Sequence, residues 1–537
     1  MNKATGRVLP PIFLGSFTHH RKPALLPVRC VTLLCAWLMA ACQQLPQVGP
    51  LQTPGGLAIA PQTSPEEASK TRDSSTGAAP VWPASAPVWG PTLWDGLESP
   101  DPPLEGVARA SPAGAPPQDL WIRLRRGLRL PEPGGAAGQR VTRHEQWYRQ
   151  NGVHMTRTFT RARLYLHDIV QAVEGQGMPL EIALLPAVES AFIPEARSHA
   201  AAEGLWQFIA PTARRFKLNQ HHFQDDRRAI RAATQAALRY LQELQLRYGG
   251  DYQLALAAYN CGEGCIDRAI RRAKARGLPG RFEDLQLNDE TANYVPRLLG
   301  LARVVAQAVD SGDLAAAGLP PMADAPYFVA VAISRDIDVK LAAQLAGLSD
   351  AKFFALNPQH RRPVIVAEAS AEVLVPIGRK AYFLEALANY RGPMATWTAT
   401  RTSKRSSVES LAAQHGTTPQ VLRQVNQIPP GRLVGAGSTL VVPRMHVAED
   451  IPGTLAATSM LITVPAMVMR RVQVQRKDTW HSLAARLSVG PAELKRWNPH
   501  VRTLRQGQLG LALPIAVAEQ LGKKPRVGDA SPRRGRS

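Results

Sequence analysis

A glutamate closing an apolar helical stretch is the first residue of this chain that could do chemistry. In Leu180-Glu-Ile-Ala-Leu-Leu-Pro-Ala-Val-Glu189 the apolar Leu184, Leu185 and Val188 recur at the spacing of a buried helical face, and Pro179 suits a helix's first turn. Glu189 is flanked by Val188, Ala191 and Phe192. Removing water from a carboxyl raises its pKa towards neutrality, so this acid could still hold its proton at pH 7 and donate it to a leaving oxygen. The bland alternative is a glutamate that only caps or pairs on its helix. Three further segments weigh against it: Gly204-Leu205-Trp206-Gln207, Ala257-Ala258-Tyr259-Asn260 and Tyr294-Val295-Pro296.

The elements that must position these residues read as helices. Helical patterning begins at Asp119-Leu-Trp121 and runs to about Val309, with strong amphipathic helices over Ala229 to Leu246 and Asp251 to Asn260. Strand signals are almost absent before residue 325. The expectation is a mainly α-helical domain over 119–310.

Beyond it the chain repeats one order of features: a strand, a helix carrying Leu-Ala-Ala, a second helix ending in Asn, and a strand closing in Pro. The three copies are Phe328 to Pro376 with Leu341 and Asn357, Trp397 to Pro443 with Leu411 and Asn426, and Val472 to Pro514 with Leu483 and Asn498. These predict three small βααβ units over 326–378, 396–444 and 470–515, and a multidomain α+β protein as a whole.

The ends differ in composition. An apolar run of about 11 residues, Val31 to Ala41, is too short to span a bilayer and follows His19, His20, Arg21, Lys22 and Arg29, so 1–42 reads as a signal peptide. It ends in Leu38-Met39-Ala40-Ala41-Cys42, which resembles a lipobox with Cys42 as the lipidated residue, although Met39 stands where Leu is preferred. An ordinary cleaved signal or an uncleaved anchor is the alternative. Residues 43–118 hold 15 of the chain's 45 prolines, without helical or strand period, and read as an extended tether. Its Trp82, Trp89 and Trp94 read as scattered exposed aromatics. Residues 516–537 read as a basic disordered tail. The net charge of +22 admits nucleic acid, an anionic membrane or an acidic polymer as partner. No recognised nucleic-acid motif accompanies clusters such as Arg123-Leu-Arg-Arg126 and Arg533-Arg-Gly-Arg536, and an exported protein rarely meets DNA.

The four helical-domain segments, in this order and spacing, resemble the family 1 lytic transglycosylases, and the repeat resembles the lysin motif (LysM), a βααβ module that binds N-acetylglucosamine-containing glycans. The third unit matches best, with Lys477-Asp478-Thr479 and Arg496-Trp497-Asn498; Ser406-Ser407 in the second unit and Asp336-Ile337 in the first depart from the pattern. The LysM resemblance places the sugar between the first strand–helix turn and the second helix–strand turn.

The transglycosylase resemblance implies a lysozyme-like domain that cleaves the MurNAc–GlcNAc bond of peptidoglycan. Ordinary glycoside hydrolysis uses two carboxylates; here a single Glu189 would act first as acid and then as base, leaving 1,6-anhydro ends. Gln207 and Asn260 would bind the sugars, Ser190 and Ser198 would line the cleft, and Tyr294 would orient Glu189. For Tyr259 and Trp206, packing beneath the cleft is as good a reading as sugar contact. No metal or organic cofactor is implied, and no obligate protein partner is evident. The expected setting is the periplasmic face of the outer membrane, since Gln43 rather than Asp follows Cys42.

Two departures from the family pattern stand out. Glu203 precedes Gly204 where a small residue is usual; it reads as solvated surface, with a second cleft carboxylate that activates water as the alternative. That alternative keeps a muramidase open as a rival, beside a non-catalytic peptidoglycan-binding scaffold. Cys261 and Cys265 either pair or remain two free thiols, and metal binding is disfavoured because no second ligand pair is evident.

Overall fold

A computed structural model describes residues 119–370, 372–445, 449–515 and 517–518. The signal peptide, Cys42, the tether with its three tryptophans and nearly all of the basic tail lie outside the described residues.

Among the described residues, ten α-helices form the N-terminal part: α1 (Leu120–Arg126), α2 (Gly135–Gln150), α3 (Gly152–Ala162), α4 (Leu166–Gly175), α5 (Leu185–Ser190), α6 (Ala210–Arg215), α7 (Ile230–Arg247), α8 (Tyr252–Cys261), α9 (Glu263–Ala275) and α10 (Asp289–Ser311). No strand precedes Phe328 among the described residues. Side-chain caps fix three helix starts by accepting otherwise unpaired backbone N–H groups. Asp119 accepts from Trp121 N, Asp251 from Gln253 N and Leu254 N, and Asn288 from Thr291 N. The core beneath includes Trp121, Phe159, Phe192 and Trp206.

One helix expected over 180–189 is two. Leu180–Leu184 is a 3₁₀ turn and α5 restarts at Leu185. The cause is Pro186 in the first turn of α5, which has no N–H to give the carbonyl of Ile182. The break leaves Glu189 one residue from the end of a six-residue helix rather than deep in a long one.

The C-terminal part carries the three expected units. In the first, β1 (Phe328–Ala332), β2 (Ile337–Asp338), α11 (Val339–Leu345), α12 (Asp350–Leu356), β3 (Val364–Ile365) and β4 (Glu372–Pro376) precede α13 (Lys380–Asn389). The second has β5 (Trp397–Arg401), α14 (Val408–Gln414), α15 (Pro419–Asn426), β6 (Arg432–Val434) and β7 (Thr439–Pro443), followed by α16 (Gly453–Ala457) and β8 (Thr463–Pro465). The third has β9 (Met467–Val474), α17 (Trp480–Arg486), α18 (Pro491–Trp497) and β10 (Gly507–Pro514). The outer strands pair antiparallel in each unit: β1 with β4, β5 with β7, β9 with β10. β9 begins five residues before the expected Val472. Its first residues are mostly exposed on both faces, so they lack the alternation that marks a half-buried strand.

The repeated asparagines have one structural task. Asn357, Asn426 and Asn498 are fully buried, and each side chain clasps the backbone N–H and carbonyl of one residue in its unit's last strand. Oδ1 accepts from Leu374, Val441 or Ala512 N at 2.8, 2.7 and 2.6 Å, while Nδ2 donates to the same residues' carbonyls. An aspartate would lose the donor half of this clasp, which accounts for Asn at all three positions.

The helical part and the first two units are sutured together. The loop between α6 and α7 buries Phe223 among Val364, Val366, Trp397 and Val441, and the Phe223 carbonyl accepts from Arg361 N at 2.8 Å. His222 sits beside Asn426 Oδ1 (3.1 Å) and Arg362. Burial first, then the charge of Arg362, push its pKa down to about 3, so it is neutral at physiological pH.

Candidate active site

Glu189 stands at the end of α5, half-buried, with its carboxyl enclosed by enough protein that desolvation pushes its pKa up to about 7. Tyr294, from α10, donates to Glu189 Oε1 at 2.5 Å and opposes that rise. The exposed Glu290 adds to it and Arg297 reduces it. Burial and the neighbouring carboxylate hold the Tyr294 phenol well above its ordinary pKa, so it remains a donor.

The hydrogen bond from Tyr294 favours the carboxylate form. The Tyr294→Phe variant should therefore carry Glu189 with a still higher pKa. The limb of kcat/KM that falls as pH rises through about 7 should move upward by roughly one unit, with a lower kcat from lost orientation. A pH–rate profile of the two proteins checks this; an unmoved or downward-moved limb contradicts it.

The backbone around the acid is unusual. Ala191 (φ 49°), Phe192 (φ 56°), Ala201 (φ 57°) and Gln207 (φ 48°) all sit in the left-handed region, where non-glycine residues are costly. Surrounding contacts hold them there. Arg161 donates to the carbonyl of Ala191 at 2.8 Å, Phe192 is fully buried, and Gln207 Nε2 donates to the carbonyls of Gly204 (2.8 Å) and Ala196 (3.2 Å).

The other expected residues are each held by contacts of their own. Asn260, in the last turn of α8, accepts at Oδ1 from the Thr291 hydroxyl (2.7 Å). Tyr259 donates its hydroxyl to the carbonyl of Trp206 (2.9 Å) and packs on Tyr240, so it braces the Gly204–Gln207 turn from beneath. Trp206 is fully buried with Nε1 donating to Thr234 Oγ1. Ser190 is corrected from a cleft residue to a buried brace, its hydroxyl lying 3.0 Å from the carbonyls of both Pro186 and Leu205. Ser198 stands exposed in the next loop, where its Oγ accepts from Ala202 N.

Glu203 is also corrected. It is 4% exposed rather than solvated. Arg228 donates to its Oε2 from Nε (2.8 Å) and Nη2 (2.5 Å), and Arg197 and Arg227 lie at 3.5 and 3.9 Å. Arg227 and Arg228 arrive from elsewhere in the chain, which no local pattern around Glu203 could reveal. A carboxylate clamped in this way is a poor base for water. Cys261 and Cys265 are bonded to each other, joining the end of α8 to the start of α9 beside Asn260. Among the described residues no group of three or more His, Cys, Asp and Glu side chains gathers to hold a metal ion.

The sugar grooves expected of the three repeats differ in access. In the first unit, Asp336 is buried and accepts from Ala367 N (3.0 Å) and Ile451 N (2.7 Å), while the opposite turn is bound to the α6–α7 loop. In the second, Ser406 and Val434 exchange backbone hydrogen bonds at 2.9 Å, and β8 pairs along β6. In the third, the hydrogen bonds of Asp478 stay within the unit, to Gln475, Ser482 and Arg486.

A helical domain with a desolvated glutamate held by a tyrosine, followed by βααβ repeats, is the architecture of a lytic transglycosylase with glycan-binding modules. Comparison with known proteins agrees: residues 169–278 match the transglycosylase SLT domain, 327–392 the LysM-like domain of lytic transglycosylase MltD, and 403–443 and 472–508 the LysM domain. The chain belongs to the family of membrane-bound lytic murein transglycosylase D. The protein of that name from Escherichia coli K12 is 31% identical over 404 residues, covering 73% of this chain and 85% of its own. Peptidoglycan transglycosylase gp16 of Escherichia phage T7 is 30% identical over 135 residues, 25% of this chain and 10% of its own. A solved lytic transglycosylase Slt from Pseudomonas aeruginosa overlaps 27% of this chain and 24% of its own at 25% identity, with a TM-score of 0.22.

Proposed function

We propose that this protein cleaves the MurNAc–GlcNAc β-1,4 bond of peptidoglycan as a lytic transglycosylase, with Glu189 as its single acid and base. The observation that supports this most is the placement of Glu189: desolvated, with a pKa near 7, and held by one phenolic donor. Glu189 donates its proton to the glycosidic oxygen as the C1–O bond breaks. The resulting carboxylate then takes the proton of the C6 hydroxyl on the same muramic acid, while O6 closes onto C1. No water is consumed, and holding the nucleophile inside the substrate supplies the proximity advantage. The rival muramidase needs a carboxylate to activate water, and Glu203 is committed to Arg228. Purified protein incubated with murein sacculi should release muropeptides lighter by one water than reducing ends. Reducing ends would instead identify a hydrolase, and binding without release a scaffold.

The helical region 119–310 serves as catalytic domain, and the third repeat grips the glycan, because its groove-forming turns bond only within their own unit, while the first unit's turn is held by the α6–α7 loop and the second unit's turns are closed on each other beside β8. A chain ending after Pro465 should therefore lose most of its binding to sacculi yet still cleave soluble glycan strands. The third unit has its own core around Leu483, Leu494 and Leu511, so its removal spares the rest. Sacculus binding that survives this truncation would move the glycan site to another unit. Lipidation at Cys42 would hold the enzyme to the periplasmic face of the outer membrane, in keeping with the lipobox-like sequence and the membrane-bound relative. The mass of the mature N-terminal peptide tests it; an unacylated N-terminus refutes it.

A further inference from the structure

Two side-chain amides of the expected sugar-binding set, Gln207 and Asn260, have opposite polarity, and neither can turn over freely. Gln207 Nε2 donates to two carbonyls, of Gly204 and Ala196; carbonyl oxygens only accept, so Gln207 Oε1 must face away from them as an acceptor. Asn260 is the reverse. Its Oδ1 is held by the Thr291 hydroxyl at 2.7 Å, and both Nδ2 hydrogens lack a protein acceptor among the described residues. Thr291 is 1% exposed, in the first turn of α10, and its own N–H is fixed on Asn288 Oδ1 at 2.9 Å. Were the Asn260 amide to flip, Nδ2 would donate to Thr291 Oγ1. The buried hydroxyl proton would then have no acceptor, which carries the full cost of an unsatisfied buried donor.

We infer that Thr291 is a positioning residue for sugar recognition: by donating to Asn260 Oδ1 it fixes Asn260 as a double donor, which fits the carbonyl oxygen of an N-acetylated hexosamine and rejects the ammonium of a de-N-acetylated one. The carbonyl can only accept and the ammonium can only donate, so the amide's orientation sets the preference. Thr291 lies three residues before Tyr294 on the same helix. One element thus holds the acid and selects the substituent. The inference rests on the transglycosylase reading.

The test uses the full chain on two substrates, fully N-acetylated murein and the same murein after de-N-acetylation, and reads the ratio of kcat/KM between them. Measured on one preparation, that ratio does not depend on the folded fraction. The parent should prefer the acetylated substrate. Thr291→Val should narrow the preference about tenfold, the size of one lost hydrogen bond, and Thr291→Ser should keep it. A Thr291→Val enzyme that cleaves with the parent's ratio overturns the inference. If that variant is too unstable to cleave, Asn260→Asp decides, since it still accepts from Thr291 but turns an acceptor on the sugar. A shift towards the deacetylated substrate supports the inference, and an unchanged preference overturns it. A parent that yields no anhydro ends sinks the transglycosylase reading instead.

Discussion

Glu189→Gln is expected to abolish the release of anhydromuropeptides, by about 10⁴-fold, without loosening the fold. General acid or base catalysis contributes roughly 10²–10⁴ when a separate group serves each step. In the proposed mechanism one side chain serves both, so the upper end applies. Glutamine is nearly isosteric, and its Oε1 can still accept from Tyr294, so the hydrogen bond that positions the side chain survives. It is uncharged, as is the protonated glutamic acid it replaces below a pH of about 7. Stability should thus stay level or rise slightly, because a desolvated carboxylate is no longer maintained. Glu189→Asp keeps the acid but withdraws it by one methylene, and a misplacement of this order costs about 10². The paired readouts are muropeptide mass analysis and thermal melting. Full activity in Glu189→Gln would refute the catalytic assignment whatever the product.

Much of this was legible in the chain, and the unread portion has physical causes. Glu189 could be found because its desolvation is local: Val188 and Phe192 adjoin it in sequence. The repeated asparagines could be found because each unit reuses one clasp at nearly constant spacing. Glu203 was misread because its fate depends on Arg227 and Arg228, brought back across the intervening α6 and its loop. Ser190 was misread for the opposite reason. Its neighbour is the acid, but its hydroxyl turns back to the Pro186 carbonyl four residues earlier, which residue type alone does not reveal. Thr291 stands close to the Tyr294 segment and passed unnoticed, since its significance lies in Asn260, 31 residues earlier. The Phe223 suture was equally invisible: an apolar residue in a polar loop acquires its role only when the first two repeats fold against it. The splitting of the 180–189 helix, by contrast, was readable from Pro186.

Gly204→Ala should be the most damaging single-methyl change in the catalytic region. Gly204 has φ +84°, and a Cβ there would lie 2.0 Å from the carbonyl oxygen of Arg227, 2.8 Å from its carbon and 3.1 Å from Arg228 Cα. All three are backbone atoms, so no rotamer change relieves the contact. The turn and the 227–228 segment must separate. That movement breaks the bond from Gly204 N to the Ala196 carbonyl (2.9 Å) and weakens the buried Glu203–Arg228 pair. It also displaces the carbonyl that orients Gln207. Opening a buried charge pair alone costs about 3–5 kcal/mol, and left-handed backbone without glycine adds about 1–2 kcal/mol. The expected result is a melting temperature lower by roughly 10 °C or more, with cleavage lost even in the fraction that stays folded, since Gln207, expected to bind the sugar, loses the carbonyl that orients it. Gly249→Ala is the internal control. Gly249 has φ +62° but no atom within 4 Å of an added Cβ, so it should show only the backbone cost. Denaturant melts of both variants beside the parent, with muropeptide release measured on each, separate clash from strain. Equal losses in the two proteins would mean that strain alone acts and that the approach of the Arg227 carbonyl does not hold the turn beneath the cleft.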